Sequence, residues 1–165
     1  MEITIKTLIE LFLSTKTTEG RSERTISWYR EKLSHFERYL SNGREAALPD
    51  LSLDNARAFV ASLQERKQRF LHHPYRKPLK GGLSPYTIHG YVRAVKAFSA
   101  WLAEEGFCPR DPLAKLKRPK LGEPMIEILS EKEIRDIVEA VNPNTFNGAR
   151  MYVITLLLLD TGIRA

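Results

Sequence analysis

The sequence predicts a mainly α-helical protein: a four-helix domain over residues 1–107, a basic proline-rich linker over 108–124, and an incomplete, mostly helical segment over 125–165. Three features of the chain carry this. Apolar residues recur at steps of three and four in four successive segments, the spacing that gives a helix one buried face. Ser or Thr precedes these segments, where its hydroxyl can accept from a first-turn N–H. Pro109, Pro112, Pro119 and Pro124 then lie close enough together to exclude a helix and stiffen an extended chain.

Taken in order, Thr4 can cap a short first helix over 5–13 with Leu8, Leu11 and Phe12 on one face. Residues 14–20 read as a polar connector. Ser22 opens a long second helix. Ile26, Tyr29, Leu33, Phe36 and Leu40 line its inner face, and Asn42-Gly43 stops it with a left-handed cap. A third helix over 53–65, capped by Ser52 or Asp54, turns Ala56, Phe59, Val60 and Leu63 inward. Residues 66–82 break the pattern with two prolines, two glycines and many charges, a basic loop. Ser84-Pro85 starts a fourth helix, with Ser at the cap and Pro at the first helical position. Ile88, Val92, Val95, Phe98 and Leu102 are its buried face, and Glu104-Glu105-Gly106 ends it. Beyond the linker, 125–129 is a strand or an extended lead. Ser130 and Glu133 form a capping box for a helix carrying Ile134, Ile137 and Val138, which ends near Asn142-Pro143. A last helix runs from about 149 to 159 and closes at Gly162.

Net charge is +6, but it is unevenly spread. Residues 66–120 hold 13 Lys/Arg against three acids (Glu104, Glu105 and Asp111), a local +10. Both flanks are mildly acidic. A solvated lysine-rich surface and a polyanion-binding stripe both account for this; the second concentrates a field that attracts phosphates and releases their counterions. No apolar run approaches the roughly 18 residues of a membrane span, so no membrane association is expected. The N-terminus lacks a basic-then-apolar signal. The single cysteine, Cys108, cannot form an internal disulfide, and a reducing cytoplasm is the default compartment.

Met151 to Leu159 is apolar on every face of the last helix, interrupted by Thr155. Such a helix belongs inside a large core, and residues 125–165 offer only one other helix to cover it. The expectation is therefore the front part of a longer domain. The alternative is a non-enzymatic helical DNA-binding or regulatory protein whose last helix docks a partner.

The order of elements, with Leu83-Ser84-Pro85-Tyr86-Thr87-Ile88 opening the fourth helix and Leu159-Asp160-Thr161-Gly162-Ile163-Arg164 closing the last, resembles the tyrosine recombinase, or phage integrase, family. The resemblance covers nearly the whole chain. It implies a SAM-like core-binding domain followed by the start of a catalytic domain, and a role in site-specific DNA recombination or integration. The family's Thr-Gly-x-Arg arginine holds the scissile phosphate, which places that role on Arg164. A guanidinium fork suits two non-bridging oxygens and transition-state charge. Interaction with the dipole at a helix C-terminus is the plain alternative for this arginine. The family's nucleophilic tyrosine follows its later motifs, whereas all six tyrosines here precede Arg164. A covalent phosphotyrosyl step needs that nucleophile, so these 165 residues are expected to bind DNA without cutting it.

The resemblance also implies that two helices, 22–40 and 84–102, face the major groove of double-stranded DNA. The second helix offers Arg24, Thr25, Trp28 and Lys32; the fourth offers Thr87, His89, Arg93 and Lys96. Lys115, Lys117, Arg118 and Lys120 would track phosphates along the linker. Most such contacts position rather than specify; Arg93 is the candidate for a base-edge contact, to guanine. For each residue alone, a solvated helix surface is the plain alternative. Self-association on DNA is expected of a full-length recombinase. His72-His73 lacks companions at metal-ligand spacing and reads as surface loop, so no metal is expected. There is no Gly-rich phosphate loop and hence no small-molecule cofactor is indicated. Cys108 reads as buried filler, and Trp28 and Trp101 read as packing residues rather than base-stacking platforms.

Overall fold

The computed structural model describes residues 3–69, 77, 79–122 and 128–162. The chain divides into two compact units, Met1–Gly122 and Glu123–Ala165.

The first unit is the mainly helical domain expected. Its helices are α1 (Ile5–Thr18), α2 (Glu23–Ser41), α3 (Leu53–Gln64) and α4 (Pro85–Glu104). A 3-10 turn, Leu48–Asp50, precedes α3. Between α3 and α4, β1 (Gln68–Arg69) pairs antiparallel with β2 (Leu79–Lys80), matching Gln68 to Lys80 and Arg69 to Leu79. The pair of histidines at 72 and 73 lies outside the described residues.

Phe12 of α1 is the hub of the core. Tyr29 of α2 and Phe98 and Trp101 of α4 meet its ring edge-on, with centroids 5.2, 5.7 and 5.5 Å away. Edge-on approach sets the positive ring rim against the negative face. Phe36 of α2 packs on Phe59 of α3 with centroids 5.0 Å apart, extending the same core. Leu33, Phe36, Phe98 and Leu102 are fully buried, as their helical spacing predicts. The start of α1 is tied down by Ile5 N–H, which donates to the Ala46 carbonyl at 2.8 Å.

Three local expectations are corrected. Helix α1 continues to Thr18 rather than stopping at 13. The Thr15 and Thr17 hydroxyls donate to the Leu11 and Leu13 carbonyls, so these polar residues bond within the helix instead of breaking it. Its buried face is Ile5, Leu8, Ile9, Phe12 and Leu13, while Leu11 is 44% exposed. The first unit also reaches past residue 107. Leu113 and Leu116 in the proline-rich segment are buried in its core, and residues up to Gly122 belong to it by packing. Leucines placed three apart between prolines fold that segment onto the domain.

The second unit contains α5 (Glu131–Glu139) and α6 (Phe146–Thr161). The capping box is present: Ser130 Oγ accepts from Glu133 N–H, and the Glu133 carboxylate accepts from Ser130 N–H. This pairing holds the Glu133 carboxyl below the usual range. Helix α6 starts before the expected residue 149 because Thr145 caps it, its hydroxyl accepting from Gly148 N–H at 3.0 Å. Gly148 is required there: a Cβ would fall 1.7 Å from the Asn142 carbonyl oxygen. Gly162 ends α6 with φ 63°, the left-handed cap expected. No residue of either helix is buried, and Met151, Val153 and Leu157 are more than half exposed. No described helix is long and apolar enough to cross a membrane.

Candidate nucleic-acid interface

Helices α2 and α4 begin alike. Ser22 Oγ accepts from Thr25 N–H at 3.3 Å, and Ser84 Oγ accepts from Thr87 N–H at 3.2 Å. In each case the two hydroxyls also share a hydrogen bond, of 2.9 and 2.8 Å. Thr25 and Thr87, both half-buried, thus hold their own helix starts. Arg24 beside Thr25 is exposed, and His89 on the first turns of α4 is half-buried.

Two cations lie over aromatic rings of the opposite helix. Arg93 of α4 stacks over Trp28 of α2, its guanidinium carbon 4.5 Å from the ring centroid. Lys32 of α2 sits over Tyr91 of α4, also at 4.5 Å. The negative faces of the rings attract both charges. Their surroundings separate their roles. The Lys32 side chain is only 12% exposed and donates to Glu31 at 2.8 Å, so its charge is matched locally. Arg93 is exposed and has no carboxylate partner among the described residues. It is an exposed cation whose guanidinium rests on an aromatic ring.

His35 meets Tyr91 edge-on with centroids 5.8 Å apart. Burial pushes its imidazole below the ordinary range, and the charges of Arg66 and Arg38 push the same way. Burial raises the Tyr91 phenol.

The segment after α4 doubles back along that helix. Cys108 N–H donates to the Leu102 carbonyl at 3.2 Å. Asp111 accepts from the buried Ser99 hydroxyl and, at 2.8 Å, from Leu113 N–H. Lys96 Nζ donates to the carbonyls of Leu113 and Ala114, each at 3.0 Å. The Tyr86 hydroxyl donates to the Gly122 carbonyl at 3.2 Å. Between these fastenings Lys115, Lys117, Arg118 and Lys120 are exposed, with no carboxylate partner among the described residues. Lys115 and Lys117 flank Leu116 in a groove of about 260 Å³ whose other wall is Arg57, Val60, Ala61 and Gln64 of α3. Cys108 is half-buried, and burial raises its thiol above the usual range.

The structure therefore sorts the residues read from the sequence. Trp28 and Arg93 are brought together, with Arg24 on the turn before Trp28. Lys96 is committed to two backbone carbonyls and Lys32 to Glu31 and Tyr91. Arg164 lies outside the described residues. Sequence reasoning missed Tyr86, Ser99 and Asp111, which fasten the basic segment. A signal was present for two of them: Asp-Pro at 111–112 favours a side-chain-capped turn, and a serine at 99 interrupts an apolar helix face. Among the described residues no group of three or more His, Cys, Asp or Glu is arranged to hold a metal ion.

Residues 9–72 match the family model described as phage integrase, N-terminal SAM-like domain. Over 161 residues the chain is 23% identical to tyrosine recombinase XerD of Staphylococcus haemolyticus, covering 97% of this chain and 50% of that protein. The chain is thus similar to phage integrases over its N-terminal SAM-like domain and to tyrosine recombinases over most of its length. The chain is also 24% identical over 164 residues to tyrosine recombinase XerC of Oceanobacillus iheyensis, covering 99% of this chain and 48% of that protein. A shorter match, 37% identical over 101 residues, joins 61% of it to 29% of tyrosine recombinase XerC 2 of Ralstonia nicotianae. The chain thus spans about half the length of the first two of these relatives. No solved structure matches it.

Proposed function

We propose that the chain binds double-stranded DNA and serves site-specific DNA recombination or integration in the cytoplasm. The carrying observation is a set of exposed cations with no carboxylate partner among the described residues, Arg24, Arg93, Lys115, Lys117, Arg118 and Lys120, on a domain whose α4 is flanked by the basic segment. Arg24 and the segment cations meet phosphates, which set register but carry no sequence information. Arg93, already stacked on Trp28, reads a guanine edge in the major groove through its two-pronged fork. The printed names of the relatives, tyrosine recombinases, support this reading. In the second unit Arg164, matched to the family's Thr-Gly-x-Arg, takes the scissile phosphate. No tyrosine follows it within these residues, so the 165 residues bind without forming a covalent adduct. Residues 108–124 join a DNA-binding domain to the beginning of a catalytic one, and copies associate on DNA in the full-length protein.

Fluorescence anisotropy with a labelled duplex tests this across a salt series. Each neutralised phosphate contributes about 0.9 to the slope of log affinity against log salt. Five contacts give a slope near −4.5, a loss of several hundred-fold between about 50 and 200 mM salt. Affinity indifferent to salt, or to removal of Arg24, Arg93 and the four segment cations together, refutes the proposal.

A further inference from the structure

Lys96 was expected to face DNA, yet its ammonium is turned into the protein and spends two donors on the Leu113 and Ala114 carbonyls. Tyr86 spends its hydroxyl on the Gly122 carbonyl. These fastenings bracket the four exposed cations of 115–120. We propose that Lys96 and Tyr86 are positioning residues that string this basic segment along α4, in register with Arg93. The inference rests on the duplex-DNA reading above.

Helix geometry supports it. Tyr86, Arg93 and Lys96 stand at i, i+7 and i+10 of one helix, a single stripe. Ten residues of helix separate the two anchors by about 15 Å. The eight residue-to-residue steps from Ala114 to Gly122 can extend to about 26 Å, so the segment spans the anchors with slack. Without anchors the slack lets it wander, and phosphates are met by a cloud of charge instead of a row. The end near Lys96 is further fixed by the Ser99–Asp111–Leu113 hydrogen bonds and by buried Leu113 and Leu116. The end near Tyr86 depends on one exposed hydroxyl.

The test is the salt dependence of duplex binding by the full chain, carrying Lys96→Met, Tyr86→Phe or both. Thermal melting of each variant accompanies it; Tyr86→Phe removes only a surface hydroxyl and is expected to fold as the parent does. The double variant should lower the magnitude of the log–log slope by about two or more, because several phosphate contacts of about 0.9 each are lost together. In a background with Lys115, Lys117, Arg118 and Lys120 all changed to Gln, the same pair should leave the slope unchanged. A drop of about 0.9 in both backgrounds means Lys96 contacts a phosphate itself and overturns the positioning role. An unchanged slope in the parent background, for the double variant and for Tyr86→Phe alone, overturns it too. A parent chain that binds without salt dependence defeats the DNA reading instead, and the positioning role with it.

Discussion

Arg93 of α4 lies over the indole of Trp28 on α2, 4.5 Å from its centroid, with its other side open to solvent. Lys32 and Tyr91 repeat the arrangement in reverse across the same pair of helices. The seam is thus held partly by cation–aromatic attraction, and one of the two cations is left free to act.

Trp28 should control how well Arg93 is presented. An exposed cation–aromatic stack is worth about 0.5–1 kcal/mol, so Trp28→Ala is expected to weaken duplex binding by about two- to fivefold, and Trp28→Phe by less. Anisotropy titrations at fixed salt measure both. If Arg93→Ala weakens binding while Trp28→Ala does not, the stack has no presenting role.

Ser99 is the one buried polar residue in the core of the first unit among the described residues. Its hydroxyl donates to Asp111 and receives Leu113 N–H at 3.2 Å. Ser99→Ala should cost on the order of 1 kcal/mol in urea unfolding, the usual net worth of such a bond. Ser99→Val should cost more, because it adds volume where no space is offered. A Ser99→Ala variant as stable as the parent would falsify the importance of this anchor.

His35 predicts a pH dependence with a definite sign. Its folded pKa lies below the ordinary 6.5, through burial first and then the charges of Arg66 and Arg38. The neutral ring is what the fold accommodates. Its contribution is complete above pH 6.5 and is lost as the pH falls toward the depressed folded value. Urea midpoints should therefore fall between pH 7.5 and 5.5, and His35→Phe should flatten that part of the curve. Equal slopes for parent and variant would show that another group carries the effect.

The first unit has its own core, while Met151, Val153 and Leu157 of the second are more than half exposed. Residues 1–122 should give a single cooperative melt alone and bind little anilinonaphthalene sulfonate. The full 165 residues should bind the dye and be less soluble at matched expression, as large exposed apolar patches dictate. Equal dye binding by the two would contradict this.

Much of this was legible from spacing and caps. Ser22, Ser84 and Ser130 cap the helices they were read to cap, and of Ser52 and Asp54 it is Ser52 that caps α3, because a short hydroxyl side chain beside a periodic run has few better uses. The inner faces of α2 and α4 followed from their step of three and four. Helix α1 was cut short because a run of threonines looks like a connector until its hydroxyls are seen bonding back to the helix. Lys96 illustrates the limit at the site. Its position on the face is set by the helix period, but whether its ammonium meets solvent or a carbonyl depends on a chain segment 17 residues further on. Aromatic partners posed the same difficulty, since nothing local joins position 28 to position 93.

Helix α6 displays its side chains to solvent, yet its least replaceable residue has none. At Gly148 even a methyl group would collide with the Asn142 carbonyl, so the first turn of the helix is pressed against the backbone that precedes it. Under mutational drift the leucines of α6 can trade places among apolar types at little cost to this unit. Position 148 has no alternative among the nineteen other amino acids, and a single-codon scan should find an unbroken gap there in a helix otherwise open to change.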